Sequence, residues 1–430
     1  MAGGRQRQRR RNARGGPPIH KLTDDLVLEI FLRLPSLATL VRAALACRPW
    51  HRAVASSPAF RRRFRALHPS PLLGLFFEAP GPAQIPNVPA FPAFAPARPR
   101  DRDLAAAVRG GDFFLTSLQD GPGEVPCWDV IDCSRGCVLL LNWDGGILVV
   151  MNPLTRRRDD DFDQPSMDVY VGARGQLTLL NPRLLCSAED PMSFLVVVLV
   201  HDKSRVRAVV LSSSTREWKV HPWVKVPAHV KSDEDNRWVQ NAVGVMQANG
   251  FMYWVYEDRM HLVSFDTATM KFSVVELPQC LRNSSFDVGE TKDGATCIVY
   301  SDQLNIGVLL HTRDADGVER WLLDRVVPLG SELARVLRCG LDDNSVLIHL
   351  VDNPDDLFVL AVQDGYVYLA TTLMYHDPRT PCWFLSLCLE TMKLERLFRR
   401  TYDSIVHPYI MEWPPCLVGN DGQFALEGAP

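Results

Sequence analysis

The feature that most constrains the fold is a series of short apolar segments from about residue 110 to the end of the chain. They are rich in Val, Ile, Leu, Phe, Trp and Tyr and are bounded by Gly, Asp, Asn and Pro, a pattern typical of β-strands. Examples are residues 137–141, 147–151, 194–200, 207–211, 251–256, 261–265, 307–311, 321–327, 357–362, 366–371 and 384–389. No long helical pattern intervenes, so the sequence predicts an all-β domain over residues 110–430.

A weak internal repeat runs through this region. The segments VVMNPLTRR, VVLSSSTREWKV, VSFDTATMKFSV and LSLCLETMKLERL each join two apolar strands by a turn, placed at Asn152, Ser212, Asp266 and Glu390. A fifth hairpin turns at residues 314–317, and successive turns lie 48 to 76 residues apart. Radial repeats of about 40 to 50 residues are typical of propeller blades. We predict a β-propeller of roughly six to eight blades, with a pair of β-sandwiches as the alternative.

The segment before the β region has a helical apolar pattern instead. Val27, Ile30, Phe31 and Leu34 occupy positions i, i+3, i+4 and i+7, and the spacing recurs over residues 37–45. The sequence therefore predicts at least two amphipathic helices here, and a third from about residue 49.

Residues suited to helix ends separate these helices. Thr23 or Asp24 is expected to cap the first helix, Pro35 cannot continue it, and Ser36 is expected to cap the second. Pro49 is tolerated in the first turn of the third helix. Residues 20–65 thus form a helical unit whose apolar side chains exceed what about 45 residues can bury, so the unit needs a partner surface.

Two further segments are assigned by composition. Nine prolines lie between residues 69 and 99, so residues 66–109 are predicted to be an extended linker with one possible strand at residues 72–77. Residues 1–19 are predicted to be a disordered basic tail. The first 21 residues hold seven basic groups and no acidic one, which leaves 40 basic against 50 acidic residues in the rest. That acidic body argues against nucleic-acid binding by the folded part.

Composition also bears on the compartment. The longest apolar run, residues 194–200, is far shorter than the roughly 18 residues that span a bilayer. The basic N-terminus has no apolar core behind it, so it does not read as a secretory signal. Eleven cysteines without a C-x-x-C pair indicate reduced thiols. We therefore expect an intracellular protein of the nucleus, the cytoplasm or both, without a membrane partner.

The usual sequence motifs of catalysis are missing. There is no G-x-S-x-G elbow, phosphate-binding loop, H-E-x-x-H motif or dinucleotide fingerprint. A zinc site at Cys127, Cys133 and Cys137 is conceivable, but the spacing is not that of the common zinc modules. The acidic runs at residues 159–161 and 355–356 lack calcium-loop spacing and read as solvated turns. We predict no catalytic residue, metal or cofactor.

The helical unit resembles the F-box. The segment LTDDLVLEIFLRLPSLATLVRAALACRPWHRAVASSPAF carries that family's apolar spacing, a Leu-Pro between helices, a Cys-x-x-Trp and a closing Ser-Pro-x-Phe. Thr23 stands where the family usually has proline, and Pro49 where a basic residue is common. The resemblance implies docking on a Skp-type adaptor. The residues expected to contact the adaptor are Leu22, Asp25, Leu26, Ile30, Leu34, Pro35, Leu40, Val41 and Trp50.

The β region is similar to the F-box-associated regions of the large plant F-box families, through GVMQANGFMYWVYEDRMHLVSFDTATMKFSVVELP and RGCVLLLNWDGGILVVMNPLTRR. The resemblance implies a non-catalytic receptor of a Skp–cullin–F-box ubiquitin ligase. Its F-box docks on the adaptor, and through it on a cullin, while the β domain holds an unknown protein target. Two alternatives stay open, an F-box scaffold without ligase activity and a propeller that is a ligand sensor or an enzyme.

Overall fold

The computed structural model describes residues 22–78, 92–118, 128–159, 161–187, 193–227, 238–240, 246–313, 319–338, 356–374, 381–411, 413–414 and 417. The chain divides into a first unit, which comprises Met1–His68 and Pro414–Pro430 and is called the N-terminal unit below, and a second unit, Pro69–Trp413. The predicted basic tail lies outside the described residues.

The N-terminal unit consists of four short helices. They are α1 Asp24–Phe31, α2 Leu37–Ala44, α3 Arg48–Ala55 and α4 Pro58–Leu67. Ser36 Oγ accepts the N–H of Thr39 at 3.2 Å, which confirms the predicted cap of α2. Pro49 lies in the first turn of α3, as predicted. The predicted side-chain cap of α1 is wrong, because Thr23 occupies the cap position but its side chain makes no capping hydrogen bond.

The helices bury one apolar side each against one another. The buried side chains include Val27, Phe31, Leu40, Val54 and Phe64. Phe31 of α1 meets the edge of Trp50 of α3 with ring centroids 5.6 Å apart, a T-shaped pair that fastens the two helices together.

The second unit is built from strands. In chain order they are β1 Leu72–Phe77, β2 Ala93–Pro96, β3 Trp128–Ser134, β4 Cys137–Asn142, β5 Ile147–Asn152, β6 Arg157–Arg158, β7 Phe162–Asp163, β8 Thr178–Leu179, β9 Arg183–Cys186, β10 Phe194–His201, β11 Arg205–Ser212, β12 Trp218–Val220, β13 Val224–Lys225, β14 Met246–Ala248, β15 Phe251–Val255, β16 His261–Asp266, β17 Lys271–Glu276, β18 Ser285–Glu290, β19 Thr296–Asp302, β20 Asn305–Arg313, β21 Glu319–Pro328, β22 Phe358–Gln363, β23 Tyr366–Ala370, β24 Cys382–Cys388, β25 Leu394–Arg400 and β26 Val406–Ile410. Two helices accompany them, α5 Arg102–Gly110 and α6 Gly330–Arg338.

These strands form six antiparallel sheets, which are the blades of a propeller. The blades consist of β3–β7, β8–β13, β14–β17, β18–β21, β22–β25 and, in the order β2-β1-β26, a sheet that joins both ends of the unit. Contacts of β26 with β3, β3 with β9, β14 with β18, β18 with β22 and β22 with β26 bring one edge strand of each blade together. Six blades confirm the predicted propeller, and the sandwich alternative is wrong.

The apolar cores lie between consecutive blades, which is why a propeller forms rather than two stacked sheets. One core joins the first and second blades through Leu148 and Val196. Another joins the fourth and fifth blades through Val308 and Leu369. Strands buried on both faces in this way form continuous apolar runs, and β10 is an example, with seven of its eight residues apolar and one of the eight partly exposed.

The predicted hairpin repeat is present with one correction. In three turns the fifth residue donates its N–H to the first carbonyl: Arg216 to Ser212 at 2.8 Å, Met270 to Asp266 at 2.7 Å and Met392 to Cys388 at 2.8 Å. All three donors have positive φ. The turn of the fifth blade therefore begins at Cys388, two residues before Glu390, because Met392 must take the left-handed position. The hairpin predicted at residues 314–317 lies outside the described residues.

The segment assigned to a linker contributes to the propeller. The strand expected at residues 72–77 is β1, which pairs with β26 so that Phe76 lies opposite His407. β2 lies within residues 66–109, α5 lies there except for its last residue, Gly110, and the compact β unit begins at Pro69. The short helix α6, inside the β region, was not predicted.

Candidate functional site

The first candidate site is the uncovered side of α1. Leu26 and Ile30 stand one helical turn apart and are 52% and 43% exposed. Val27 and Phe31, the next residue in each case, point inward and are buried. Exposing two adjacent large apolar side chains to water is unfavourable for an isolated helix. The same side chains become favourable contacts when another protein covers them.

The other predicted contact residues surround this pair to different degrees. Asp25 and Pro35 are exposed, and Leu22, Leu34, Val41 and Trp50 are half-buried. Leu40 is fully buried among the helices. It is therefore corrected from a contact residue to a core residue, because no partner reaches a side chain without exposed surface.

Charged residues also lie at defined positions on and beside α1. Asp24 and Asp25 lie in its first turn, where negative charge stabilises the N-terminal end of a helix. Glu29 accepts from Arg63 of α4 at 2.6 Å. Both partners of this pair are exposed, so it orients α1 more than it stabilises the unit.

A second exposed apolar surface lies on the second blade. We name residues 166–179, which contain a short 3₁₀ turn and β8, the pinned segment. Met167, Tyr170, Val171 and Leu179 are all exposed on it. Sequence reasoning missed this surface, although the apolar letters of SMDVYVG between polar loops were an available signal.

Side chains of the blade hold the pinned segment in place. Arg207 Nη1 and Trp223 Nε1 both donate to the Val171 carbonyl, at 3.2 and 3.1 Å. Arg205 Nη2 donates to the Gly172 carbonyl at 2.9 Å. The Arg207 guanidinium also lies 4.3 Å above the Trp223 ring. The apolar side chains are thus presented on a fixed backbone, which lowers the entropy lost when a partner binds.

The third candidate is the polar centre of the propeller. A cavity of about 80 Å³ is lined by Asp132, Ser134, Gln247 and His407 among others. Asp132 Oδ2 accepts the N–H of Leu184 in the second blade at 2.6 Å. His407 Nε2 lies 3.0 Å from Glu78 Oε1.

A second buried carboxylate makes a similar bond elsewhere in the ring. Asp287 of β18 accepts the N–H of Val362 in the fifth blade at 2.7 Å. Asp132 and Asp287 therefore each bond the backbone of the next blade. These hydrogen bonds explain the two aspartates as elements of the packing between blades.

Burial governs the ionisation of these two aspartates. Removal from water raises the pKa of Asp132 to about 6, although the charges of Arg183 and His407 act in the opposite direction. The same cause raises the pKa of Asp287 to about 8, against the N–H groups of Val362 and Val288 and the charge of Arg183.

Among the described residues, no cluster of three or more His, Cys, Asp or Glu side chains is placed to hold a metal ion. Cys133 and Cys137 are buried free thiols, and Cys127 lies outside the described residues. No helix in the part of the chain that the structure describes is long and apolar enough to span a membrane.

Two family models match the chain. The model described as "F-box-like" matches residues 22–66. The model described as "F-box protein AT5G49610-like, beta-propeller" matches residues 129–417, about two thirds of the sequence. None of the curated proteins compared with the chain matches it.

Solved structures resemble the chain only loosely. A protein from Lactobacillus plantarum is 14% identical, with 68% of this chain and 76% of that chain covered and a TM-score of 0.33. The Cps50 (Swd1) β-propeller domain of Myceliophteria thermophila is 9% identical, with 64% and 75% covered and a TM-score of 0.34. A chain of a nidogen/laminin complex is 9% identical, with 79% and 99% covered and a TM-score of 0.36. These likenesses assign no function to the chain.

Proposed function

Because the chain belongs to the family of F-box proteins with an AT5G49610-like β-propeller, we propose that it is the substrate-recognition subunit of a Skp–cullin–F-box ubiquitin ligase. An F-box implies binding to a Skp-type adaptor. In this role the helical unit docks on the adaptor, the adaptor connects it to a cullin, and the propeller holds the protein to be ubiquitinated.

The observation that carries this proposal is the exposed pair Leu26 and Ile30 on α1. An amphipathic helix that lays an apolar stripe into a groove is a common mode of protein recognition. Val27 and Phe31 hold α1 to its own unit, so Leu26 and Ile30 remain available to a partner.

For the target we propose the pinned segment as the contact surface. Met and Tyr are enriched in protein interfaces, and Met167 and Tyr170 stand on a backbone held by Arg205, Arg207 and Trp223. Ubiquitin transfer itself belongs to a separate enzyme in this scheme. The receptor contributes proximity, which raises the effective concentration of the target near that enzyme.

The test is co-purification of the full-length chain with a Skp-type adaptor, and then with adaptor and cullin together. The variant Leu26→Asp, Ile30→Asp places two charges in the docking face. Hot-spot residues contribute about 2 kcal/mol or more each, so we expect the loss of both to lower adaptor affinity by about 1,000-fold. Far-ultraviolet circular dichroism establishes that the β domain is unchanged.

Leu67→Asp is the matched control. Leu67 of α4 is 56% exposed, so the same substitution adds a charge at an equally open leucine outside the α1 face. We expect it to bind like the wild type. If the double variant binds equally well, the α1 face is not the docking surface. If the adaptor binds but cullin never joins the complex, the scaffold alternative replaces the ligase proposal.

A further inference from the structure

The outer strand of the fourth blade differs from the outer strands of the other blades. On β21, Leu322, Leu323 and Val326 are 54%, 58% and 48% exposed. No large apolar residue of β2, β7, β12, β13, β17 or β25 reaches comparable exposure. A blade packs its apolar side chains against its neighbours, so solvent-facing leucines on one edge need a separate explanation.

The backbone of β21 is also open to pairing. It is ten residues long and pairs with β20 alone among the described strands. Long apolar edges are templates for another strand, and a covering helix is one way in which proteins protect them. The outer strand of the fifth blade illustrates this, because α6 contacts β25.

We propose that β21 pairs antiparallel with β21 of a second copy of this chain, about a two-fold axis at Leu322. In this register Leu322 lies opposite its own counterpart, and Trp321 lies opposite Leu323. Arg320 of each copy lies opposite Asp324 of the other. A two-fold contact uses the same patch on both copies, so this pairing forms a closed dimer.

The charge pattern favours this partner and this register. Opposite charges across an antiparallel pair stabilise it, and like charges destabilise it. Moving the axis to Trp321 or to Leu323 places Arg320 opposite Leu322 or Val326 and loses the pairing with Asp324. A parallel arrangement in register places each charge beside its own counterpart. The register about Leu322 avoids that like-charge contact and forms two cross-copy ion pairs by symmetry.

The local geometry at Asp324 is compatible with a bridging role. On β20, Leu309 pairs with Leu323 and Val308 with Arg325, so Asp324 is the extra residue of a bulge. Its Oδ2 lies 3.1 Å from Arg325 Nε. A carboxylate accepts through both oxygens, so Asp324 retains an acceptor for Arg320 of the second copy.

The experiment is sedimentation equilibrium of the full-length chain over about 1 to 100 µM, a range that spans ordinary self-association constants. We expect the mass to rise with concentration from 48.3 kDa towards twice that value. Leu322→Lys is expected to weaken the dimer at least about tenfold, since lysine replaces an apolar contact at the axis. Leu373→Lys is the matched control, because Leu373 is also 54% exposed but lies outside any strand.

A charge exchange tests the register. Arg320→Asp and Asp324→Arg are each expected to weaken the dimer about tenfold or more, and the double variant is expected to recover most of the loss. Leu322→Thr replaces the lysine variant if that one fails to fold, as judged by circular dichroism. A wild-type chain that stays monomeric at the highest concentration overturns the proposal. So does a dimer that Leu322→Lys leaves intact, or a double variant no stronger than the singles.

Discussion

At the centre of the propeller, two aspartates are buried away from water and accept hydrogen bonds from the backbone of a neighbouring blade. Asp132 accepts from Leu184, and Asp287 accepts from Val362. A buried carboxylate is costly unless hydrogen bonds compensate it, and burial favours the protonated form of both groups. The same contacts that join the blades therefore make the stability of the ring depend on pH.

The pH dependence has a definite sign. Burial raises the pKa of Asp287 to about 8 in the folded chain, against 3.8 for the free group. Between these values the folded chain keeps a proton that the unfolded chain has lost, so the free energy of unfolding falls as pH rises. One such group contributes up to ~1.4 kcal/mol per pH unit. The free energy of unfolding, measured with urea at several pH values, should depend less steeply on pH for Asp287→Asn than for the wild type.

The informative window runs from about pH 6 to pH 8. Asp132 titrates at about 6, so above that pH the slope reports mainly on Asp287. Asp163→Asn is a suitable control, because Asp163 is exposed and the substitution should leave the slope unchanged. A variant at position 287 with the full wild-type slope would contradict the raised pKa.

Within single elements, sequence patterns predicted strands well because the propeller buries them on both faces. Apolar runs such as those of β4 and β10 are visible without knowing what covers them. The two-residue strands β7, β8 and β13 were not predicted, because two residues are too few to show a periodic pattern. The helices α5 and α6 were also not predicted, because nine residues each are too few to show a clear helical period.

The candidate adaptor-binding surface on α1 could be predicted only in part from the sequence of the helices. The spacing of Leu26, Ile30 and Leu40 identifies apolar helix faces, and it is silent on which face another helix covers. Packing decides that point, exposing Leu26 and Ile30 while it buries Leu40. The pinned segment escaped because its role depends on Arg207 and other residues distant in sequence.

The close approach of two inner strands gives a prediction for one glycine. A Cβ at Gly289 of β18 would lie 2.1 Å from the carbonyl oxygen of Val362 in β22. Backbone cannot move aside as a side chain can, so the blades would have to separate. We expect Gly289→Ala to lower the free energy of unfolding by about 3 kcal/mol or more, measured by urea unfolding.

Gly110→Ala is the counterpart for that experiment. Gly110 ends α5, and a Cβ there meets nothing within 4 Å. Alanine also favours helix more than glycine does, so this variant should be neutral or slightly more stable. Equal stability of the Gly289 and Gly110 variants would mean that β18 and β22 are less tightly apposed than the structure shows.

At the scale of the whole molecule, the propeller depends on a strand from the segment that composition assigned to a linker. Prolines between β1 and β2 suggested an extended chain, yet β1 itself contains none and is buried along its full length. Closure could not be read from the sequence, because the pairing of β1 with β26 joins residues more than 300 positions apart. The internal repeat predicted the hairpins of the other blades. The sixth blade does not follow that repeat, because its strands come from both ends of the unit.

Ring closure predicts where the β domain can be cut. A chain of residues 69–430 retains β1 and β2, and a chain of residues 110–430 lacks them. Leu73, Leu75, Phe76 and Phe77 are almost fully buried. Burying each such side chain contributes about 1.5 to 3 kcal/mol. A typical domain has a free energy of unfolding of about 5 to 15 kcal/mol. Loss of these four side chains therefore removes stabilisation comparable to the whole free energy of unfolding.

We therefore expect the longer chain to melt cooperatively and the shorter one to lack both a sharp transition and a near-ultraviolet circular dichroism signal. The shorter chain also exposes the edge of β26, which normally pairs with β1, so it should aggregate at concentrations where the longer chain stays in solution. Because both chains lack the F-box, any difference between them belongs to β1 and β2 of the sixth blade and to α5, which contacts β1. A shorter chain that melts within a few degrees of the longer one would show that five blades suffice and that β1 is dispensable for closure.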